Sequence, residues 1–420
     1  SPRNAMRTLV IAGDYPWPEI IGPRMRLSMV LRALRRCGSV ELFSLISRFR
    51  VDVDPPDPAL ELERITRIGF DNRPPRRLQL VANARRPWLP LGMPIGGRPT
   101  AERALVRAMT GAYDLVWVFG ARPWVLCGQP HLGPTILDLD DLEDEKIAAR
   151  LSVPAPLRSS GISARAHHLG AELVGGEEIR RWRRLHRRAD GMVDAVAVCS
   201  PLDAERARAR GVRRVTVVPN GYRSVARPLG RLAVGAKPTL LFQGLLTYPA
   251  NVEAARWLVR EVLPALRARL PAVRLRLVGD HTSAVAELDD PPSVTVVGPV
   301  PSMDPELARA DLVVVPVRYG SGTRIKIIEA FAHRIPVAST TVGAEGLGAD
   351  DGVHLLVGDT ATELAAACVR LLGDQGLRAE VTERAHQLYT ARYRSDVVER
   401  GIAQLAVRVA GVTPEEPVGD

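Results

Sequence analysis

LVVVPVRYGSGTRIKIIEAF, residues 312–331, is the stretch on which the fold turns. Leu312 to Val317 form a continuous apolar run, the mark of a strand covered on both faces of a parallel sheet. Gly320 and Gly322 then interrupt it, with Ser321 between them and Thr323 after them. From there Ile325, Ile328 and Ala332 recur at helical spacing, so a helix is expected to start near Arg324. A strand, a glycine turn and a helix N-terminus in succession suit an anion. Free backbone N–H groups point outward there, and missing Cβ atoms let a phosphate approach the main chain. Lys326 falls in the first helical turn, where its charge opposes the helix dipole unless an anion is bound. The plainer alternative is an ordinary strand-to-helix turn with two exposed basic residues.

Outward from this stretch, strands and helices alternate along the whole chain. Strands are expected at 7–12, 40–46, 65–70, 114–120, 134–139, 195–199 and 215–218 in the first half. In the second half they are expected at 239–242, 274–278, 294–297, 312–317, 337–339 and 355–357. The clearest helices are 24–36, 98–109, 177–189, 251–270, 360–372, 376–389 and 396–409. Ser200-Pro201 and the Thr360/Glu363 pair carry helix-start signals. Residues 150–176 show little periodicity and much Pro, Ser and Gly, and read as an irregular excursion. Residues 223–238 read as the linker. Alternation of this kind predicts an α/β protein with two doubly wound parallel sheets, whose ligands bind at the carboxyl ends of the strands. The expected domains are 6–223, joined by the C-terminal helix 391–410, and 224–390.

Composition narrows the class. A length of 420 residues suits two or three domains of ~100–200 residues. The four cysteines are far apart, without metal or redox spacing, and read as buried thiols of a reducing cytoplasm. There is no run of 18 apolar residues and no signal-peptide pattern. Residues 1–223 carry 36 Lys/Arg against 24 Asp/Glu, whereas 224–420 carry 21 against 23. All the excess basicity therefore lies in the first half, which suits an anionic membrane surface or a phosphorylated substrate. Nucleic acid does not fit, because the arginines lack interleaved aromatics and a binding motif.

The segment GSGTRIKIIEAFAHRIPVASTTVGAEGL closely resembles the donor-site segment of family 4 retaining glycosyltransferases, which have the GT-B architecture of two facing Rossmann-like domains. VVPNGY, FQGLLTYPANVEAARWLVREVLPALRARLPAVRLRLVGD and GPVPSMDPELARADLVVVPVRYG resemble the same family, in the right order over most of 215–370. The first half resembles it more weakly, through the loop after the first strand and the segment DLDDLEDEK.

The resemblance implies a role for each matching residue. Glu329 matches the second glutamate of the E-x7-E motif, which hydrogen-bonds the ribose of the donor nucleotide. The first glutamate falls at Ser321, so recognition of the sugar hydroxyls must differ. The N–H groups of Ile325 and Lys326 match those that hold the diphosphate, within the turn Gly320, Ser321, Gly322, Thr323, Arg324. Gly298 and Val300 match the loop that frames the base, with Pro299 in place of the common arginine. Gln243-Gly244-Leu245 stands where many members place an Arg and a Lys on the phosphates, so Arg324, Lys326 and Arg24 are the available cations. Gly22 and Arg24 match a glycine loop offered by the first domain. Asp138-Leu139-Asp140 resembles the metal-binding DxD of the other major transferase fold, but enzymes of the GT-B type do not generally need metal. Asp140 or Asp141 stands near the position of the acceptor and the reacting carbon. The pair His167–His168 falls in the irregular excursion and is read as solvent-facing.

The expected function is a retaining, metal-independent glycosyltransferase using a UDP-, GDP- or dTDP-sugar, with no further cofactor and a hydroxyl-bearing acceptor. The expected location is cytoplasmic, with peripheral contact to the membrane as one use of the basic half. Two alternatives stay open: a catalytically silent GT-B binding partner, which the half-missing motif and absent Arg/Lys pair favour, and a GT-B sugar-nucleotide epimerase.

Overall fold

The structure is a computed structural model and describes residues 6–47, 54–70, 81, 84–94, 98–152, 162–227, 229, 234–320 and 322–412. The longest apolar runs are strands. LVWVF at Leu115–Phe119 and LVVV at Leu312–Val315 are buried at every position, as strands with helices on both faces must be.

Among the described residues there are two sheets. The first contains β1 Met6–Ala12, β2 Gly38–Ser47, β3 Arg64–Phe70, β4 Leu115–Phe119, β5 Thr135–Leu139, β6 Ala195–Val198 and β7 Val215–Val217. Its order is β3-β2-β1-β4-β5-β6-β7, with every pair parallel. The second contains β8 Thr239–Gln243, β9 Arg274–Val278, β10 Val294–Val297, β11 Leu312–Val315, β12 Val337–Ser339 and β13 Leu356–Val357. Its order is β10-β9-β8-β11-β12-β13, again parallel throughout. In each sheet the order reverses once, between β1 and β4 and between β8 and β11. Such a reversal opens a crevice at the carboxyl ends of the two central strands, because their connections leave in opposite directions.

The chain divides into one unit of residues 1–219 with 398–420 and a second of residues 220–397. In the first, the C-terminal helix Ser395–Ala410 contributes Ile402, Leu405 and Ala406 to the core beneath β1. Glu399 of that helix accepts from Arg32 at 3.2 Å and pairs with Arg36 at 2.6 Å, fastening it to the helix Gly22–Arg35. The expected helix starts are present: Ser200 accepts from the Asp203 amide, and Thr360 and Glu363 form a capping box.

Two stretches differ from the sequence reading. Residues 150–176 are not an irregular excursion among the described residues. One helix, Glu143–Ser152, runs into them, and a 28-residue helix, Ile162–Ala189, starts inside them. Gly175, read as a loop signal, is a packing glycine: a Cβ there would lie 2.5 Å from Leu151 of the preceding helix. His167 and His168 fall within the long helix rather than in a loop. The expected helix 251–270 is broken by a π turn at Leu258–Val262, between Pro249–Trp257 and Leu263–Arg267. Pro264 lacks the N–H that a continuous α-helix would need there. All four cysteines are free; Cys127, Cys199 and Cys368 are buried and Cys37 is half-buried.

Candidate functional site

The glycine turn of the second unit takes the backbone shape that its sequence requires. Gly320 and Gly322 have φ of +126° and +76°, which side chains other than glycine rarely adopt. Ser321 lies outside the described residues. The helix Ile325–Ala332 starts from Arg324 in an extended conformation (φ −86°, ψ 94°), with no side chain capping it. The first-turn amides of Ile325 and Lys326 are therefore left without an intrahelical acceptor. Around them, Thr323 accepts from Asn220 Nδ2 at 2.7 Å and Arg324 Nη1 donates to the Gly322 carbonyl at 2.8 Å.

Lys326 reaches back from this turn to the end of β8. Its Nζ lies 4.4 Å from the centre of the Phe242 ring and 3.3 Å from Asn251 Oδ1. Gly244 makes room for it, since a Cβ there would stand 3.0 Å from that nitrogen. Burial and the nearby Arg324 charge push the Lys326 ammonium down to about 7, with Glu329 opposing. One turn on, Glu329 is 9% exposed, with Tyr222 donating to Oε1 at 2.7 Å and Gln243 Nε2 donating to Oε2. Burial pushes its carboxyl up to about 7 against the Tyr222 hydrogen bond. Behind it, His333 packs edge-on against the Tyr222 ring at 5.9 Å. Gly244, Gly320, Gly322, Thr323, Arg324, Ile325, Lys326 and Glu329 thus gather at the β8/β11 reversal. Gly298 and Val300 follow β10, two strands from β8 at the sheet edge.

Sequence reading alone missed Tyr222, Asn220 and Asn251. The first two belong to the PNGY turn just after β7, a position that could have marked them.

The first unit has its own concavity, about 360 Å³, at the carboxyl ends of β1, β4 and β5. Its lining includes Asp14, Arg122, Asp140, Asp141, Trp182 and His186. Asp141 pairs with Lys146 Nζ at 2.7 Å. Burial, then the charges of Asp141 and Asp138, push the Asp140 carboxyl up to about 7. Gly22 opens the helix Gly22–Arg35, and Arg24 donates from Nε to Asp14 Oδ2 at 3.1 Å. Asp138, the first acid of the DxD-like triplet, is fully buried and accepts from Arg26 Nη2 at 2.7 Å and Trp117 Nε1 at 3.2 Å. Among the described residues no group of three or more His, Cys, Asp or Glu side chains could hold a metal ion.

On the basic helix Ile162–Ala189, Trp182, Leu185 and Ala189 are buried in the core of the first unit. Arg181 and Arg180 bond Glu177, and Arg183 bonds Asp144, while Arg184 and Arg188 are exposed. Among the described residues no helix is long and apolar enough to cross a membrane.

With this geometry in place, comparison with known proteins is informative. Residues 237–374, which contain the glycine turn and β8 to β13, match the family model described as Glycosyl transferases group 1. The sucrose-phosphate synthase of Thermosynechococcus elongatus superposes with a TM-score of 0.67, covering 96% of this chain and 99% of that one at 18% identity. HepE of Anabaena, solved in complex with UDP and glucose, superposes with a TM-score of 0.60 over 95% of this chain and 99% of that one, also at 18% identity. The fold is that of the GT-B glycosyltransferases. An exopolysaccharide phosphotransferase of Streptomyces coelicolor is 28% identical over 203 residues, 46% of this chain. The match spans only 21% of that curated relative's own length.

Proposed function

We propose that this GT-B protein is a retaining, metal-independent glycosyltransferase that moves a sugar from a nucleoside-diphosphate sugar to a hydroxyl acceptor. The observation that carries this reading is Lys326, whose Nζ fills the space over Gly244 beside an uncapped helix N-terminus. A cation and two outward amides at one strand-to-helix turn suit a diphosphate, and they stabilise the charge that develops as it leaves. Lys326 stands in for the Arg/Lys pair missing at 243–245. Glu329, held by Tyr222 and Gln243, keeps lone pairs with which to accept from the ribose hydroxyls. Gly298 and Val300 frame the base. Asp140 and Asp141 serve the acceptor.

The same-face route needs no protein nucleophile, because a donor phosphate oxygen takes the acceptor proton. Metal independence is supported by the cations and dipoles already aimed at the diphosphate, and by the commitment of Asp138 to Arg26. UDP is the first nucleotide to test, since HepE was solved with it. The test is release of nucleoside diphosphate from UDP-, GDP- and dTDP-sugars by the intact chain, with and without excess EDTA. Release from one donor class, unchanged by EDTA, is expected. Release that EDTA abolishes and magnesium or manganese restores would contradict metal independence. Donor binding with no turnover on any acceptor would favour the silent binding partner.

A second feature supports peripheral contact with an anionic surface. Leu173 and Val174 on the basic helix are 76% and 59% exposed, on the same helix as the exposed Arg184 and Arg188. Exposed apolar side chains and exposed arginines on one helix suit the boundary of an anionic bilayer.

A further inference from the structure

The cavity of the first unit presents hydrogen-bond acceptors to whatever fills it. Most of its charged lining is already committed to the wall: Asp14 to Arg24, Asp141 to Lys146, and Glu143 to Arg122 at 3.5 Å. Arg122 also lies over the Trp182 ring, its carbon 5.6 Å from the centroid. Asp140 differs. It is half-buried, and no described residue donates a hydrogen bond or ion pair to its carboxylate.

His186 is the second group with hydrogen-bonding capacity to spare. It is 1% exposed, lines the cavity, and neither ring nitrogen has a hydrogen-bond partner among the described residues. Its Nδ1 faces Asp144 Oδ1 at 3.4 Å, on a carboxylate that also receives Arg210 and Arg183. With Nδ1 turned to Asp144, Nε2 is the ring nitrogen left without a partner among the described residues. Phe119, Leu126 and Trp182 supply apolar wall between these groups. The volume lies at the small end of small-molecule sites, which run from about 300 to 1,000 Å³.

A carboxylate and a ring nitrogen, each without a hydrogen-bond partner among the described residues, in an apolar-walled cavity call for a donor-rich, cationic occupant. A phosphate there would meet the Asp140 carboxylate, while the nearby cations Arg24, Lys146 and Arg122 are each already paired with a carboxylate. We propose that the acceptor carries a protonated amine close to its reacting hydroxyl, the ammonium meeting Asp140 and a further N–H or O–H meeting His186 Nε2. The proposal rests on the glycosyltransferase reading and narrows its acceptor to amine-bearing polyols such as amino sugars. The burial that raises Asp140 agrees, since a bound ammonium would relieve that load.

The test is ligand-observed NMR titration of the intact chain with glucosamine, glucose and glucose 6-phosphate as probes. Glucosamine is expected to bind at least tenfold more tightly than glucose, with glucose 6-phosphate the weakest. Asp140→Asn is expected to bring glucosamine to the level of glucose, and His186→Phe to weaken it severalfold in a chain of unchanged melting temperature. Glucose or glucose 6-phosphate binding as tightly as glucosamine, no glucosamine binding, or glucosamine affinity indifferent to Asp140→Asn would overturn the proposal. UDP, GDP and dTDP are titrated in the same samples. Amine selectivity without binding of any of these would uphold the cavity and sink the glycosyltransferase reading; the opposite pattern would do the reverse.

Discussion

Lys326 Nζ occupies the space that a side chain on Gly244 would fill, only 3.0 Å from where its Cβ would stand. The two residues are 82 apart in sequence and meet where the second sheet reverses order. Gly244 also has φ of +137°, so glycine is needed there twice, for the backbone and for the ammonium. Gly244→Ala is expected to destabilise the chain by about 1–3 kcal/mol through strain and to displace Lys326. Thermal unfolding reads the first effect. Loss of nucleoside-diphosphate affinity beyond what unfolding explains reads the second.

Lys326 gives the site a pH signature. With its ammonium pushed down to about 7 from 10.5, the folded chain binds fewer protons than the unfolded chain between those values. Its contribution to stability therefore rises with pH across that window. A bound diphosphate restores the charge, so binding at about pH 8.5 is expected to take up a proton. Glu329, raised to about 7, is already ionised at that pH and adds nothing. Calorimetry of UDP binding in two buffers of different ionisation enthalpy measures the uptake, and Lys326→Met should abolish it.

Asp138 and Arg26 form a pair with almost no solvent contact, and Arg26 also donates to the Val218 carbonyl at 2.8 Å. Removing one partner leaves the other charge buried. Asp138→Asn or Arg26→Met is therefore expected to destabilise by about 3–5 kcal/mol, read as a drop in the denaturant midpoint. Small loss of stability together with a metal-dependent loss of transfer would instead make Asp138 a ligand.

These contacts mark the limit of what the sequence reveals. The apolar runs at 312–315 and 115–119 announce buried parallel strands, and GSGTRIK announces an anion turn, because both are local patterns. The partners that hold Glu329 are not local: Tyr222 lies 107 residues away and Gln243 lies 86 away. Arg26 lies 112 residues from Asp138, so nothing local to the acidic triplet shows that its first acid faces a guanidinium. Residues 150–176 misled for another reason. Glycine is a loop signal in isolation, whereas at Gly175 it lets one helix approach Leu151 of another.

The exposed arginines of the basic helix can be tested separately. Each arginine near an anionic bilayer contributes about 1 kcal/mol, screened by salt. Co-sedimentation with phosphatidylserine-containing vesicles is expected at low salt and weaker at physiological salt, with Leu173→Ser/Val174→Ser reducing it further. Equal binding to neutral vesicles, or none to anionic ones at low salt, would end the membrane reading.

The central claim is that the turn after β11 holds a nucleoside diphosphate. Titration calorimetry with UDP, GDP and dTDP on the intact chain and on Lys326→Ala and Glu329→Ala tests it most directly. One nucleotide is expected to bind, and each substitution to weaken it by about 1–3 kcal/mol, as for charge-assisted hydrogen bonds, with the melting temperature of each variant confirming the fold. Binding of none of the three, or affinity unchanged in both folded variants, would contradict the account.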